Sequence, residues 1–422
     1  MAAESRQVVI VGGGFAGLNA AKLLGNHPGI SVTLLDSRNY HLFQPLLYQV
    51  AMAGLNPADI AAPIRSILSS CRNIRVILDE VSSIDPERRQ VIAGGGAYPY
   101  DYLILATGAQ HTYFGHEEWE PFAPGLKTLE QATEIRRRVL SAFEEAEKCS
   151  EETRRRQLLT FAVIGGGPTG VELAGAIAEM SRFTLANDFR SIDPCMSRIL
   201  LIEGLPRLLP SFSEPLAARA ALTLKELGVE VLASTMVTAV DQDGLSVGDE
   251  RIPAATVIWA AGVRASSLGS SLGVPLDRQG RVVVEPDLSV PGHSEIFVTG
   301  DLAHCNDSMG NPLPGLAPVA LQQGRVAART ILADMAGEMR QPFHYLDKGQ
   351  LATIGRSRAV GQYRTFSVTG LTAWLAWLLI HIYYLTGFAN RFMVVFQWAW
   401  SYFTCKRGAR LIMRSDWRLY KP

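Results

Sequence analysis

The chain has 422 residues, with 40 Lys and Arg set against 40 Asp and Glu, so its formal net charge is zero and no nucleic-acid partner is expected. At roughly 150 residues per domain the length suits two or three domains, and 48% apolar residues are enough for real cores, which excludes disorder over most of the chain. The cysteines Cys71, Cys149, Cys195, Cys305 and Cys405 are scattered without a CxxC, so neither a zinc ribbon nor a close dithiol is expected, no metal site is predicted, and the pattern suits a reducing compartment.

Gln7-Val-Val-Ile-Val11 is a β-branched run suited to a strand buried on both faces, and Ala and Leu follow at helical spacing over Phe15–Leu24. Arg6 before an apolar run resembles the start of a secretory signal peptide. However, Gly12, Gly13, Gly14 and Gly17 break what should be a continuous apolar helix and no small-residue cleavage site follows, so no signal peptide is expected. Between strand and helix lies Gly12-Gly-Gly14-Phe-Ala-Gly17, a GxGxxG spacing. In such a loop the first glycine makes the tight turn, the second lets a pyrophosphate reach the backbone, and the third lets the helix pack on the strand. The helix start then offers orphan N–H groups to the phosphates. Ser31-Val-Thr-Leu-Leu-Asp36 is a second buried strand, and Asp36 stands 19 residues past Gly17, where a carboxylate can accept from both ribose hydroxyls. The pattern predicts a dinucleotide site.

Residues 129–156 are dense in Glu and Arg, with acids alternating with bases, and read as a helix with a solvated face. The strand grammar then returns in Thr160–Ile164, which runs into Gly165-Gly-Gly-Pro-Thr-Gly170 and a helix reaching Met180. The next strand, residues 199–202, puts Glu203 33 residues past Gly170, beyond the usual offset of about 20, and residues 181–197 read as a helix extension and loop filling the excess. A ribose-binding Glu203 would repel a 2′-phosphate and favour NADH over NADPH; the alternative is a surface carboxylate. Short β-branched runs in residues 229–258 supply the strands of this second sheet. Two dinucleotide sites in one chain point to hydride traffic between a nicotinamide and a flavin.

Residues 365–390 hold 26 positions without Asp, Glu, Lys or Arg. As one helix they would extend about 39 Å, enough to span a bilayer. Against a span stand Gly370, Gly387 and His381, and Trp and Tyr side chains that prefer the water interface. Trp374, Trp377, His381, Tyr384 and Phe388 recur at helical spacing, which predicts a face lying flat in a membrane surface, with a true span or a dimer or core helix as alternatives. A second aromatic run, residues 392–403, precedes Lys406, Arg407, Arg410, Arg414, Arg418 and Lys421, a basic end suited to anionic lipid.

Two further segments, Tyr102-Leu-Ile-Leu-Ala-Thr107-Gly108-Ala109 and Ile296-Phe-Val-Thr-Gly300-Asp301, resemble the remaining motifs of two-dinucleotide flavoproteins, spaced around an inserted NAD domain. The resemblance implies FAD on the first loop, contacted by Gly12, Gly14, Phe15, Ala16 and Gly17, with Asp36 and Ser37 at its ribose and the Val81 backbone at its adenine. Ala106, Thr107, Gly108, Gly300 and Asp301 would meet the rest of FAD, Asp301 at the ribityl or pyrophosphate portion. The same resemblance implies NADH on Gly165, Gly167, Thr169 and Gly170, with Glu203 and Gly262.

Within that superfamily the chain resembles the type II NADH:quinone oxidoreductases, the single-subunit NADH dehydrogenases that do not pump protons. The pieces that carry this are Asn39-Tyr-His-Leu-Phe-Gln-Pro-Leu-Leu-Tyr-Gln-Val-Ala51, residues 165–179, Glu203-Gly-Leu-Pro-Arg-Leu-Leu-Pro210, Val257-Ile-Trp-Ala-Ala-Gly-Val263 and Lys348-Gly-Gln-Leu-Ala-Thr-Ile-Gly-Arg356. The resemblance spans nearly the whole chain and implies an α/β fold of two Rossmann-like dinucleotide-binding domains. The FAD domain would be residues 1–115 and 285–342, the inserted NADH domain residues 116–284, and residues 343–422 an amphipathic helical membrane-binding segment. It implies hydride transfer from NADH to FAD and reduction of a membrane quinone, by a peripheral protein on the cytoplasmic face of the inner (plasma) membrane. Glu172 near the nicotinamide and Gln322 are the implied catalytic residues, and Gln44, Pro45, Pro318, Gln322, Gln323 and Lys348 the implied quinone site. One departure is that the family's Ala-Gln-x-Ala-x-Gln pattern is here Ala317-Pro-Val-Ala-Leu-Gln322, with Pro318 in place of the first glutamine. A soluble reductase of a ferredoxin-like acceptor, a sulfide:quinone reductase using cysteines such as Cys305, and a non-enzymatic redox-sensing flavoprotein remain open, as does a homodimer.

Overall fold

In the computed structural model, residues 5–404 and 407–413 are described, apart from the side chains of residues 388 and 389. Contacts divide the chain into two compact units, Met1–Leu42 with Ala61–Gln110 and Val263–Lys348, and Phe43–Ile60 with His111–Gly262 and Gly349–Pro422. The short stretch Phe43–Ile60 and the C-terminal region thus group with the second glycine loop.

The first unit is built on a six-stranded sheet in the order Ser289–Val290, His293–Val298, Tyr102–Leu105, Arg6–Val11, Ile30–Asp36, Ile74–Leu78. All neighbours are parallel except the first pair. Successive side chains of the central strand go to opposite faces, as the two-residue period requires. Val8 and Ile10 join Leu18, Leu24, Ala327 and Ile331 in one core, while Val9 and Val11 join Leu103, Leu105, Ile296 and Val298 in the other. Burial of each Val or Ile stabilises the unit by about 1.5–3 kcal/mol, which is why a continuous β-branched run becomes the centre of the sheet. On the first face the helices Phe15–Leu24 and Ala317–Ala336 approach so closely that a Cβ on Gly324 would lie 2.1 Å from the Ala16 carbonyl oxygen.

The second unit repeats the plan with four parallel strands, in the order Val229–Leu232, Arg198–Ile202, Thr160–Ile164, Thr256–Trp259. The Glu- and Arg-rich stretch forms two helices, Leu129–Lys148 and Glu152–Leu158, broken where Arg155 donates to the Cys149 carbonyl at 2.6 Å. Thr128 Oγ1 caps the longer helix by accepting from Gln131 N–H (3.2 Å), and Glu134 bridges Arg137 and Arg138 on its surface. Arg136 departs from the expected solvated face, being buried with its guanidinium donating to the Ala409 carbonyl. Past Pro168–Glu179 the chain makes a π-helical turn, Met180–Thr184, and then a loop, as the excess length predicts.

The C-terminal region is not one long helix. Strands Gln350–Gly355, Arg358–Tyr363 and Phe366–Thr369 form an antiparallel sheet, followed by helices Gly370–Tyr384 and Phe388–Thr404, which are separated by Gly387 at φ +92°. Its 15 residues make the first of these helices about 22 Å long, short of a bilayer core of about 30 Å. Among the described residues no helix is long and apolar enough to cross a membrane. Of the aromatic stripe predicted to lie in lipid, Trp377 is turned inward instead, Trp374, His381 and Tyr384 are half-buried, and the Phe388 side chain lies outside the described residues. Trp377 is 2% exposed and its ring meets Tyr48, His381 and Trp398. The outward face carries Leu371, Leu375, Leu379 and Tyr383 at four-residue spacing. The indole and imidazole faces meet Tyr48, Trp398 and Phe43, whereas the leucines stay exposed among the described residues. Arg407 and Arg410, expected to face lipid, are paired with Glu179 and Asp188, and Lys406, Arg414, Arg418 and Lys421 lie outside the described residues.

Candidate active site

Three neighbouring strands of the first unit end at one crevice, the place where open parallel sheets bind ligands. They deliver the Gly12 loop, Thr107-Gly108 and Gly300-Asp301. Gly12 turns with φ +102°, and a Cβ there would strike the Ala106 carbonyl oxygen at 2.5 Å. A Cβ on Gly17 would lie 1.9 Å from the Gly12 oxygen, so the third glycine is required by the packing of helix on loop. By contrast, a Cβ on Gly14 would meet only the Ala106 oxygen, at 4.0 Å, and one on Gly108 would have nothing within 4 Å.

Asp36 accepts from Gly13 N–H through Oδ2 (2.6 Å) and from Arg38 N–H through Oδ1 (2.7 Å). Burial pushes its carboxyl pKa up, and those two backbone bonds oppose the shift. Buried His41 supports the same loop. Its Nδ1 lies 3.0 Å from the Gly13 carbonyl, which can only accept, so Nδ1 carries the proton, and the ring stands edge-on to Phe15 at 5.2 Å. Burial lowers the imidazole pKa and keeps it neutral.

Thr107 Oγ1 is buried with no hydrogen-bond partner among the described residues. Gly300 N–H donates to Gln323 Oε1 (2.7 Å), and Asp301 faces Gly315. Ala106 is buried beside Ala16 and Ala320, Ser37 is exposed past the acid strand, and Val81 opens the strand Val81–Asp85. An orphan hydroxyl and two glycines with free space beside them fit a flavin dinucleotide, and Gly12, Gly14, Gly17, Asp36, Thr107, Gly108, Gly300 and Asp301 are the residues that would hold it.

The second unit repeats the cradle. Gly165 turns with φ +112° against Ala260 and Ala261, a Cβ on Gly170 would lie 1.8 Å from the Gly165 oxygen, and Gly167 has nothing within 4 Å. Thr169 is half-buried in the first helical turn. Glu203 accepts from Gly166 N–H (2.5 Å) and from Leu205 N–H (2.7 Å), so it stands to its loop as Asp36 does to the first despite the long offset. Gly262 turns with φ +70° under Phe114, which is 66% exposed and whose ring would meet a Cβ there at 2.4 Å. No sequence pattern singled out Phe114.

The second unit also holds a half-open cavity of about 130 Å³, lined by Tyr48, Gln49, Glu172, Thr353, Trp377 and Trp398 among others. Burial holds the Glu172 carboxyl well above the usual carboxylate range, against a bond from the Thr353 backbone. Tyr48 is likewise pushed up, first by burial and then by the nearby Glu172. Glu179, one helical stretch further on, pairs with Arg407 at 3.3 Å, and Arg407 also donates to the Met52 carbonyl (2.9 Å).

The implied acceptor residues fall in both units. Gln44 and Pro45 form the 3-10 turn that leads into Leu47–Ala51 in the second. Pro318, Gln322, Gln323 and Lys348 belong to the first. Gln322 spends its amide on Leu346, donating to the carbonyl and accepting from the N–H at 3.0 Å each, and Gln323 is 1% exposed and bonded to Gly300. Pro318 sits in the first turn of Ala317–Ala336, where no helical N–H is needed, so its presence costs the helix nothing.

Residues 6–324 match the family described as pyridine nucleotide-disulphide oxidoreductase, and residues 348–407 match the NDH2 C-terminal domain. The fold and its two cradles therefore define an oxidoreductase of the flavin and pyridine-nucleotide class. The chain is 44% identical over 418 residues to the type II NADH:quinone oxidoreductase Ndh of Mycobacterium tuberculosis, covering 95% of this chain and 89% of that one. It is 31% identical over 383 residues to the type II NADH:quinone oxidoreductase of Staphylococcus haemolyticus, covering 88% and 93%. The chain belongs to the type II NADH:quinone oxidoreductase family. Its fold matches that of NDH2 from Plasmodium falciparum in complex with NADH, with a TM-score of 0.88 at 20% identity over 97% of this chain and all of that one. The sulfide:quinone oxidoreductase of Aquifex aeolicus shares the fold less closely, with a TM-score of 0.72 at 21% identity over 90% and 91%.

Proposed function

We propose that the chain oxidises NADH and reduces a quinone to the quinol, NADH + H⁺ + Q → NAD⁺ + QH₂. The observation that carries this is the pair of glycine cradles in one chain, each with a carboxylate accepting from a loop glycine N–H, Gly13 in the first and Gly166 in the second. A flavin in the first cradle supplies a relay that takes two electrons from a nicotinamide and yields them to a quinone.

The residues do the rest. Gly12 and Gly17, and Gly165 and Gly170, keep each turn tight enough for helix-start N–H groups to face a pyrophosphate. Asp36 and Glu203 present a negative edge that accepts from ribose hydroxyls, and at Glu203 that charge disfavours a 2′-phosphate, so NADH is the donor. Burial raises the Glu172 pKa well above the usual carboxylate range and so favours a proton at its carboxyl beside the cavity. Gln322 meets an acceptor only after its bonds to Leu346 open. The exposed ridge of Leu371, Leu375, Leu379 and Tyr383 is the surface assigned to lipid, giving peripheral attachment at the membrane where quinone resides.

Anaerobic stopped-flow tests this reading. NADH should bleach the flavin absorbance rapidly and NADPH far more slowly, and a short-chain quinone should then restore it. Bleaching without restoration by quinone would leave the NADH site standing and remove the acceptor.

A further inference from the structure

The cavity of the second unit carries hydrogen-bonding groups that the reaction above leaves unused. Trp377 lines it, is 2% exposed, and has a buried Nε1–H without a partner among the described residues. Buried donors are nearly always satisfied, and one left over in a cavity answers to something that enters it. The ring is not free to turn away, since His381 stacks on it at 4.2 Å and Trp398 packs at 5.4 Å.

A second donor is prepared by a chain of bonds whose direction is chemically forced. Trp398 Nε1 donates to Gln49 Oε1 (2.7 Å), and an indole N–H can only donate, so the amide oxygen must face it. The amide NH₂ then faces the other way and donates to the Tyr48 hydroxyl at 2.9 Å. With its oxygen occupied as an acceptor, Tyr48 keeps its own proton for a partner in the cavity that it lines.

The acids of the lining add no competing acceptor. Glu172 is half-buried with the Thr353 backbone at its carboxyl, and Glu179 is taken by Arg407 and by Arg356 N–H. The site therefore offers donors, aromatic faces and the Arg356 guanidinium, which donates to the Tyr402 carbonyl and lies over the Tyr402 ring, and suits a planar ligand bearing carbonyl oxygens. At about 130 Å³ it is close in size to a cavity of about 150 Å³ that accepts benzene, so it takes one six-membered ring.

We propose that Trp377 Nε1–H and Tyr48 O–H are the donors that hold a quinone carbonyl in this cavity, with Gln49 and Trp398 as positioning residues that aim Tyr48. The assignment rests on the quinone-reductase reading and adds to it the groups that recognise the acceptor.

The test uses the full chain loaded with FAD in detergent, with decylubiquinone as the probe and Trp377→Phe and Tyr48→Phe as variants that keep the ring and remove a donor. Infrared difference spectra should show the bound carbonyl stretch below its free position in the wild type and returned toward it in each variant. The quinone KM should rise about tenfold in each, the effect of one lost hydrogen bond. Trp398→Phe should raise it in the same way, and combined with Tyr48→Phe should add little more, because both act through one bond chain. Unchanged KM and carbonyl band in both variants would overturn the proposal. If Trp377→Phe does not fold, the wild-type band and Tyr48→Phe decide, and a carbonyl at the free-quinone position overturns it. A wild type that is bleached by NADH yet neither binds nor reduces decylubiquinone overturns the quinone reading itself, which is distinct from quinone turnover indifferent to both donors.

Discussion

Gly175, in the helix Pro168–Glu179, is the point where that helix rests on the strand Gln350–Gly355. A Cβ there would lie 1.8 Å from the Ile354 carbonyl oxygen and 2.8 Å from its carbon, where real Cβ atoms keep beyond 3.0 Å. Gly175→Ala therefore forces helix and strand apart by about 1 Å, an overpacking that costs about 1–3 kcal/mol. The better helix propensity of alanine returns up to about 1 kcal/mol, so the upper part of that range, about 2–3 kcal/mol, where a clash with rigid backbone belongs, leaves a net loss of about 1–2 kcal/mol. For a unit of 150–250 residues this corresponds to a melting temperature lower by about 2–8 °C. The same separation withdraws the Thr353 backbone from the Glu172 carboxyl, so quinone turnover should weaken alongside stability. Scanning calorimetry of the FAD-loaded protein measures the first effect and steady-state kinetics the second. A variant that melts at or above the wild-type temperature would refute the close approach on which the reasoning depends.

Glu203→Gln removes the charge at the second ribose position, so the NADH KM should rise about tenfold or more and the preference over NADPH should narrow; an unchanged preference in kinetics with both nucleotides would show that the carboxylate does not meet the ribose. Glu172 has a folded-state pKa raised by burial, so the native state holds its proton where the unfolded chain has released it. Its contribution is full below about pH 4.3 and is lost as pH rises toward the folded value. Glu172→Gln should therefore flatten the fall of melting temperature as pH rises above about 4.3, and parallel curves for the two proteins would contradict this. Leu375 and Leu379 are 47% and 72% exposed, so Leu375→Glu with Leu379→Glu should release the protein from anionic liposomes in flotation without lowering its melting temperature. Flotation equal to the wild type would move the membrane surface elsewhere.

The strand, loop and helix of each cradle were legible because they are local: β-branched runs, glycine spacing and helical periodicity lie within residues 7–24 and 160–180. The acid of the second cradle was legible only as a candidate, since its offset is long, yet Glu203 meets Gly166 as Asp36 meets Gly13. The C-terminal stripe shows the limit. Spacing says that Trp374, Trp377 and His381 share a helix face, but what that face meets is decided by residues 47–51 and 398, which no local pattern connects to it. Arg407 and Arg410 read as lipid-facing for the same reason, their partners Glu179 and Asp188 lying 228 and 222 positions away. Gly175, a weak helix former at first sight, has a purpose only once the strand beneath it is known.

The ladder that pairs each glycine strand with its acid strand is in the same alignment in both sheets: Arg6 opposite Ile30 through Val11 opposite Leu35, and Thr160 opposite Arg198 through Ile164 opposite Ile202. The carboxylate is thus positioned by strand registration and not by how much chain precedes it. Residues 181–197 are extra length outside the sheet, anchored to the unit through buried Ser181, Leu185 and Ile192 and through the Glu147 carboxylate, with Phe183 and Met196 exposed. Closing a longer excursion of this kind adds only about 0.6 kcal/mol for each doubling of its length. Only its exposed positions are consequently open to extra chain: a peptide epitope spliced at one of them should leave nucleotide affinity intact, and a pattern search that insists on a fixed gap would pass over cradles built in the same way.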